Sequence, residues 1–224
     1  MASFRWHIST GIALGVLGAA LLASFAVVDA PSFLIVVLAM ATLGSVLPDM
    51  DSDSGVPFHV AFGSLSIVCA ALVFITVYRK YPGDYQQLVG WALLVGIGVW
   101  GIVGYIFKRF TRHRGIAHSI PAVILGGLIT FFLATRFYFS DSDAFILAVA
   151  LMCGYLSHLV LDEIYAAVNF QGRLFEPNKA FGSAMKLKSH NAFINLAVFG
   201  AIILLAAGNV ERFISLAKAF WEKI

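Results

Sequence analysis

Charge is scarce in this sequence. Only 12% of the 224 residues are Asp, Glu, Lys or Arg and 60% are hydrophobic, whereas a soluble domain carries about a quarter charged residues and roughly 45–50% apolar ones. A soluble globular enzyme is thereby disfavoured, and a mean hydropathy of +0.90 points to a bilayer. Cysteine is scarce too. Cys69 and Cys153 each sit inside an apolar run, where a small hydrophobic role is the default and a disulfide framework has no support. The surplus of positive charge is thin: 15 Lys and Arg against 12 Asp and Glu give +3. That is too little and too dispersed for a nucleic-acid partner, and reads better as membrane topology.

What the chain has in quantity is apolar length. Runs without charge mark approximate spans at 8–28, 32–47, 58–78, 87–107, 120–139, 144–168 and 191–210, each judged against the roughly 20 apolar residues of a crossing. The expected fold is all-α: a polytopic membrane bundle of six or seven transmembrane helices in one domain, 1–224. Residues 211–224 are expected to lie along the interface as an amphipathic helix. The second run is short for a crossing and closes at Pro48, whose ring disfavours helix at Leu47. Arg5 and the Val28-Asp29-Ala30 stretch give the first run some likeness to a signal peptide. Its apolar core exceeds the usual 7–15 residues or so, and we read it as a helix.

Glycines in these runs serve packing. Gly11 and Gly15 form a GxxxG step, and Gly96, Gly98, Gly101 and Gly104 crowd the fourth run, where small residues let backbones approach. The last group spells GIGVWG, a formal match to a dinucleotide fingerprint. With no strand before it and a mid-membrane position, it carries no nucleotide site.

Basic residues set the orientation. With the N-terminus inside, that face receives Arg5, Lys108, Arg109, Arg112, Arg114, Arg173, Lys179, Lys186 and Lys188. The other face receives Arg79, Lys80, Arg136, Arg212, Lys218 and Lys223. The bias places the N-terminus in the cytoplasm. On this topology all six histidines, His7, His59, His113, His118, His158 and His190, fall on the same cytoplasmic face, joined by Asp49, Asp51 and Asp53 in the loop after the second run. The opposite loops carry Asp29, Asp84, Asp141 and Asp143 but no histidine. Imidazoles and carboxylates converging from several segments are the donor set of a divalent metal such as zinc, manganese or iron.

The sixth run is the strongest single piece. In GYLSHLVLDEIYAAVNF, Tyr155, His158, Asp162, Tyr165 and Asn169 alternate at spacings of three and four, which lines them along one face of an otherwise apolar helix. Ionisable residues inside a span cost several kcal/mol unless paired or hydrated, so two on one stripe mark a functional site. A plain His–Asp hydrogen bond between helices is the competing explanation. Glu163 points elsewhere and is read as structural. LPDMDSDSG offers carboxylates at alternate positions. It fails as an EF-hand loop, because Gly55 is one place late and Val60 stands where the twelfth-position Glu belongs; otherwise it is a solvated polar loop or part of the metal site. HRGIAHS sets His113 and His118 five apart, and the preceding basic stretch also suits anionic lipid.

Taken in order, a His near the start, LPDMDSD, HRGIAHS, GYLSHLVLDE and GRLFEP resemble the YdjM-type family of LexA-regulated, inner-membrane metal-dependent hydrolases, over residues of about 7 to 177. The resemblance implies metal-ligand roles for His7, Asp49, Asp51, His113, His118, His158 and Asp162, and a bacterial inner-membrane location. This chain adds Asp53, which replaces or supplements a neighbour, and follows the helix with NFQGRLFEP where many relatives have a proline-bearing turn.

Such a ligand count exceeds the needs of one zinc and permits one or two divalent ions, zinc or manganese foremost. Two ions about 4 Å apart suit hydrolysis of a phosphoester by metal-activated water. Arg114, ahead of Arg112 or Arg173, is the expected phosphate-binding group, with positive-inside topology as the competing explanation for any one of them, and Asp53 is the other catalytic candidate. A site at one leaflet favours a lipid or lipid-like phosphoester. Two rivals stand: a metal-ion or proton transporter, which needs ionisable groups near the midplane and access from both faces, and a non-catalytic adaptor with a closed structural metal shell.

Overall fold

A computed structural model describes residues 2–28, 30–51, 56–81, 83–105, 116–137, 139–168, 182 and 184–221. Helices dominate them: α1 Phe4–Ser24, α2 Pro31–Val46, a 3-10 turn Leu47–Asp51, α3 Val56–Lys80, α4 Tyr85–Ile97 with a π-helical continuation Gly98–Val103, α5 Ile120–Arg136, α6 Asp141–Ala167, α7 Ala192–Gly208 and α8 Val210–Trp221. No strand occurs among the described residues, and the all-α expectation holds. Among the described residues, four helical stretches are long and apolar enough to cross a bilayer, namely Phe4–Ser24, Pro31–Asp49, Tyr85–Val103 and Asp141–Ala167, with a fifth if α7 and α8, bent by 59°, count as one broken span. Six or seven crossings is a finer statement than these helices carry. Helix α5 has 17 residues, roughly 26 Å of rise against a hydrocarbon core of about 30 Å.

The chain divides into two compact units, Met1–Pro48 with Arg114–Ile224, and Asp49–His113. In the first unit, α2 and α6 approach so closely that only glycine fits between them. A Cβ on Gly154 would stand 1.9 Å from the Ala41 carbonyl oxygen, and one on Gly44 would stand 2.1 Å from that of Leu151. The expected GxxxG step likewise seats α1 on α2: a Cβ on Gly11 would meet Ser45 Oγ at 2.1 Å, and one on Gly15 would meet the Leu38 backbone at 2.8 Å. Val37, Phe131, Ala144, Leu147 and Ala148 form the apolar core beneath these crossings.

Polar residues set the helix ends. Ser119 caps α5 by accepting the Ala122 N–H, with Pro121 in the first turn, where its missing N–H costs nothing. Ser140 caps α6 by accepting from the Asp143 N–H at 3.1 Å. Asn191 caps α7 through the Phe193 and Ile194 N–H groups. Helix α8 folds back on the end of the unit remote from the N-terminus, where Arg212 pairs with Asp141 and Phe213 stacks on Phe131 with ring centroids 4.8 Å apart. At the opposite end, the Ile120 N–H donates to the Lys186 carbonyl at 3.1 Å, shortly before α7 begins. Helix α7 therefore runs the length of the unit. Leu17, Leu21, Ile35 and Leu204 point outward, Leu204 at 75% exposure, as side chains do when the surrounding medium is hydrocarbon.

Pro48 behaves differently from expectation. Leu47 keeps helical angles (φ −52°, ψ −41°), and the helix tightens into the 3-10 turn instead of stopping. Leu47 packs against the Val123, Leu151, Tyr155 and Leu159 cluster, which outweighs the modest steric preference imposed by the following proline.

In the second unit, α3 packs on α4 and its π-helical continuation. A Cβ on Gly96 would touch Ala70 Cβ at 3.5 Å, and one on Gly104 would press on Phe58 at 2.9 Å, whereas Gly98 and Gly101 have nothing within 4 Å. Two of the four crowding glycines thus serve packing, while the other two lie in the π segment.

Candidate metal centre

Four side chains expected from the sequence meet inside the first unit. His7, in the opening turn of α1, and Asp162, on α6, are each 1% exposed; His158, one turn before Asp162, and His118, just ahead of α5, are fully buried. One carboxylate gathers the three imidazoles. His7 Nε2 lies 3.4 Å from Asp162 Oδ1, His118 Nε2 lies 3.7 Å from Oδ2, and His158 Nε2 lies 3.8 Å from Oδ2. Most of these separations are long for hydrogen bonds. They are close to the roughly 3.3–3.6 Å between neighbouring ligand atoms of a tetrahedral ion with bonds of about 2.0–2.2 Å.

Backbone contacts orient His158 and Asp162 and fix the chain beside His118. His158 Nδ1 lies 2.7 Å from the Ser45 carbonyl oxygen. A carbonyl only accepts, so Nδ1 carries the proton, and the neutral ring turns the Nε2 lone pair toward Asp162. This is how metal-ligating histidines are oriented, the remote N–H tied to a backbone oxygen. The contact exists because Gly44 and Gly154 let α2 and α6 close on each other. Asp162 Oδ1 accepts the Ala2 N–H at 3.1 Å, which ties the start of the chain to the site. The Tyr155 hydroxyl donates to the Ala117 carbonyl at 2.7 Å, fixing the backbone beside His118. The rings of His7 and His158 stack with centroids 3.6 Å apart and planes 16° from parallel.

The residues fit a cation. His7, His158 and Asp162 each offer a ligand atom within 4.8 Å of the other two. His7 Nδ1 and Asp162 Oδ2 are buried without a hydrogen-bond partner, a costly arrangement for polar atoms in an apolar interior. The donor set of imidazoles and a carboxylate suits zinc or manganese.

The other sequence candidates fall in several places. Asp49 is 8% exposed and directly follows Pro48, the last residue of this stretch of the first unit. The Asp51 backbone belongs to the 3-10 turn, while its side chain, and Asp53, His113 and Arg114, lie outside the described residues. His190 is exposed ahead of α7. His59 is exposed in the second unit and stacks on Trp100 at 6.0 Å. Glu163 accepts the Gly182 N–H, in line with a structural reading. Sequence reasoning missed the Ser45 carbonyl, the Ala2 N–H and the Gly44–Gly154 crossing. Small residues four apart, Ala41 with Ser45 and Ala150 with Gly154, were the available signal for that crossing.

The family model described as YdjM inner membrane protein matches residues 1–221, nearly the whole chain. The chain belongs to the YdjM inner membrane protein family. No curated protein and no solved structure matches it. Family membership agrees with the bilayer-length helices and establishes a membrane protein of the inner-membrane type. The chemistry has to be argued from the buried centre.

Proposed function

We propose that the protein is a metal-dependent hydrolase of the inner membrane, acting at the cytoplasmic face on a phosphoester of a lipid or lipid-like substrate. The observation that carries this reading is the Nδ1-anchored His158, whose Nε2 shares the buried Asp162 carboxylate with His118 and His7. A divalent ion supplies Lewis-acid activation of water and of a phosphoryl oxygen. His158, His118, His7 and Asp162 would hold it. Asp49, one residue beyond Pro48, and Asp51 and His113 complete the ligand set in this reading and allow a second ion.

The remaining residues position and bind. The Ala2 N–H holds Asp162 Oδ1, and Tyr155 holds the backbone before His118. Arg114 binds the substrate phosphate through its guanidinium fork in this reading, and Asp53 is the second catalytic candidate. The positive-inside bias of the basic residues supports a cytoplasmic site.

The test compares metal-loaded with chelated protein across phosphomonoesters, phosphodiesters and phospholipids. Turnover should require metal, vanish in His158→Ala, and fall in Arg114→Lys with metal content unchanged, because lysine keeps the charge and loses the fork. A fully ligated metal with no substrate turned over would make the structural adaptor the better reading.

A further inference from the structure

Helix α8 presents three different sides. At about 100° per residue, Phe213 and Leu216 fall together, and they pack on the apolar core of the first unit. Glu211, Arg212, Ser215 and Lys218 make a second side, polar and exposed. Val210, Ile214, Ala217 and Trp221 follow one another at spacings of four, three and four and make the third, an apolar stripe about 60° wide. Val210 and Ile214 on it are 50% exposed and Trp221 is 79% exposed. The stripe adjoins the packed side, so α8 has one continuous apolar arc of which the bundle covers only a part. Its neighbours fix its height in the bilayer. Ser140 caps the bilayer-length helix α6, whose first turn carries Asp141 and Asp143, and this polar turn marks where the span reaches the headgroups. Arg212 pairs with Asp141, which holds α8 at that level, and the chain leaves the axis of α7 there at 59°. A helix so placed has the bundle on one side, water on another and hydrocarbon on the third.

We infer that α8 docks on the lipid leaflet remote from the His–Asp centre, with Val210, Ile214, Ala217 and Trp221 in the upper hydrocarbon and Glu211, Ser215 and Lys218 among the headgroups. Tryptophan at the rim of such a stripe suits the boundary between headgroup and chain. Apolar burial drives the contact, and charge does not. The polar side sets one acid, Glu211, against Lys218 and an Arg212 already paired with Asp141, so it has no polybasic cluster of the kind that selects anionic lipid. The partner is therefore the bilayer surface itself, zwitterionic or anionic. Through Arg212 to Asp141 and Phe213 to Phe131, the docked helix ties that leaflet to α5 and to the end of α6 opposite His158 and Asp162. The inference is independent of the chemistry at the centre.

The experiment places a nitroxide on single cysteines of the full chain, with Cys69→Ala and Cys153→Ala removing the native thiols. Val210→Cys, Ile214→Cys and Trp221→Cys sample the stripe, and Glu211→Cys, Ser215→Cys and Lys218→Cys sample the polar side. All six positions are exposed, so the labels leave the core intact, and Leu204→Cys, outward on α7, gives the hydrocarbon reference. Power saturation with oxygen and with a water-soluble nickel chelate is read in vesicles of phosphatidylcholine alone and of phosphatidylethanolamine with phosphatidylglycerol. The ratio of oxygen to nickel access at 210, 214 and 221 should exceed that at 211, 215 and 218 at least fivefold, in both kinds of vesicle. Nickel access at all six positions would put α8 in water and overturn the inference. A stripe shielded from both reagents would mean that a second copy or another protein covers it, and oxygen access without nickel access at all six would make α8 part of a span. A pattern confined to the anionic vesicles would overturn the claim that apolar burial drives the contact.

Discussion

Gly154→Ala adds one methyl group, remote from every ligand atom, and it should disable the metal centre. Its Cβ would stand 1.9 Å from the Ala41 carbonyl oxygen and 3.0 Å from the Ser45 nitrogen, where a carbon and an oxygen normally keep about 3.4 Å. Both neighbours are backbone and cannot rotate away, so α2 and α6 must part by roughly 1.5 Å. His158 and Ser45 lie one helical turn beyond residues 154 and 41, and the same displacement would stretch their 2.7 Å contact to about 4 Å, which is no longer a hydrogen bond. Overpacking costs about 1–3 kcal/mol and the lost hydrogen bond about 1 kcal/mol, while alanine returns about 1 kcal/mol of helix propensity. A net loss of about 1–3 kcal/mol follows. Metal affinity should drop by about 10–100-fold, the usual effect of removing the partner that orients a ligand. Competitive zinc titration and thermal unfolding in detergent, each with and without chelator, measure the two effects separately. Gly18→Ala, which meets open space, is the control and should stay within about 0.5 kcal/mol. Wild-type affinity and stability in Gly154→Ala would refute the reasoning from helix approach to histidine orientation.

Other outcomes follow from the same centre. His158→Ala and Asp162→Ala should each lower bound metal in the purified protein at least tenfold, read by elemental analysis, whereas His59→Ala, exposed and stacked on Trp100 in the other unit, should leave it unchanged. Metal should be retained at pH 8 and released on acidification, because ligand imidazoles and carboxylates bind metal only when deprotonated; equilibrium dialysis across a pH series checks it, and the thermal stabilisation conferred by metal should disappear in step. Single cysteines placed at 49, 113 and 173 should resist a membrane-impermeant maleimide added outside intact cells and react after lysis.

Much of the site was legible because ionisable residues are conspicuous in an apolar chain. The three-and-four spacing of Tyr155, His158 and Asp162 on a hydrophobic helix needs only helical periodicity to be read as one face, and the structure places all three along the buried side of α6. His7 and His118 could be grouped with them by membrane side, since topology assigns ends even when it does not assign contacts. Backbone partners stayed hidden. The Ser45 carbonyl and the Ala2 N–H carry no residue-type signature, and which helix crosses α6 at Gly154 depends on tertiary packing. Span counting was less secure. A 17-residue helix and a pair bent at Gly208 and Asn209 are apolar enough to read as crossings in sequence, and with that length and that bend they take the count among the described residues to four, or five if the pair is one span. The helical reach of Leu47 and Pro48 escaped for a related reason: a local proline preference yields where the preceding leucine is packed into a core.

The interior of the first unit bears on the transport reading. Between His158 and the start of α6 at Asp141 lies roughly 25 Å of helix; of its buried positions, Gly154, Leu151, Ala148, Leu147 and Ala144 are apolar or glycine, and Tyr155, next to the cluster, gives its hydroxyl to the Ala117 carbonyl at 2.7 Å. Val37 and Phe131 close against them at 2% and 1% exposure. Thr130 is buried there, but its hydroxyl donates to the Gly126 carbonyl within its own helix at 2.9 Å. Among the described residues of this unit, no Asp, Glu, His, Lys or Arg is buried between the cluster and Asp141. An ion leaving the centre toward that end would cross packed hydrocarbon without a relay, at a cost of several kcal/mol or more for a charge near the midplane. Proteoliposomes holding a zinc-sensitive or pH-sensitive dye should therefore show no flux above protein-free vesicles, while the same preparation binds metal stoichiometrically. A flux that appears with the wild-type chain and disappears in His158→Ala would mean that the centre is a way-station on a path through the membrane, and the transporter would replace the hydrolase.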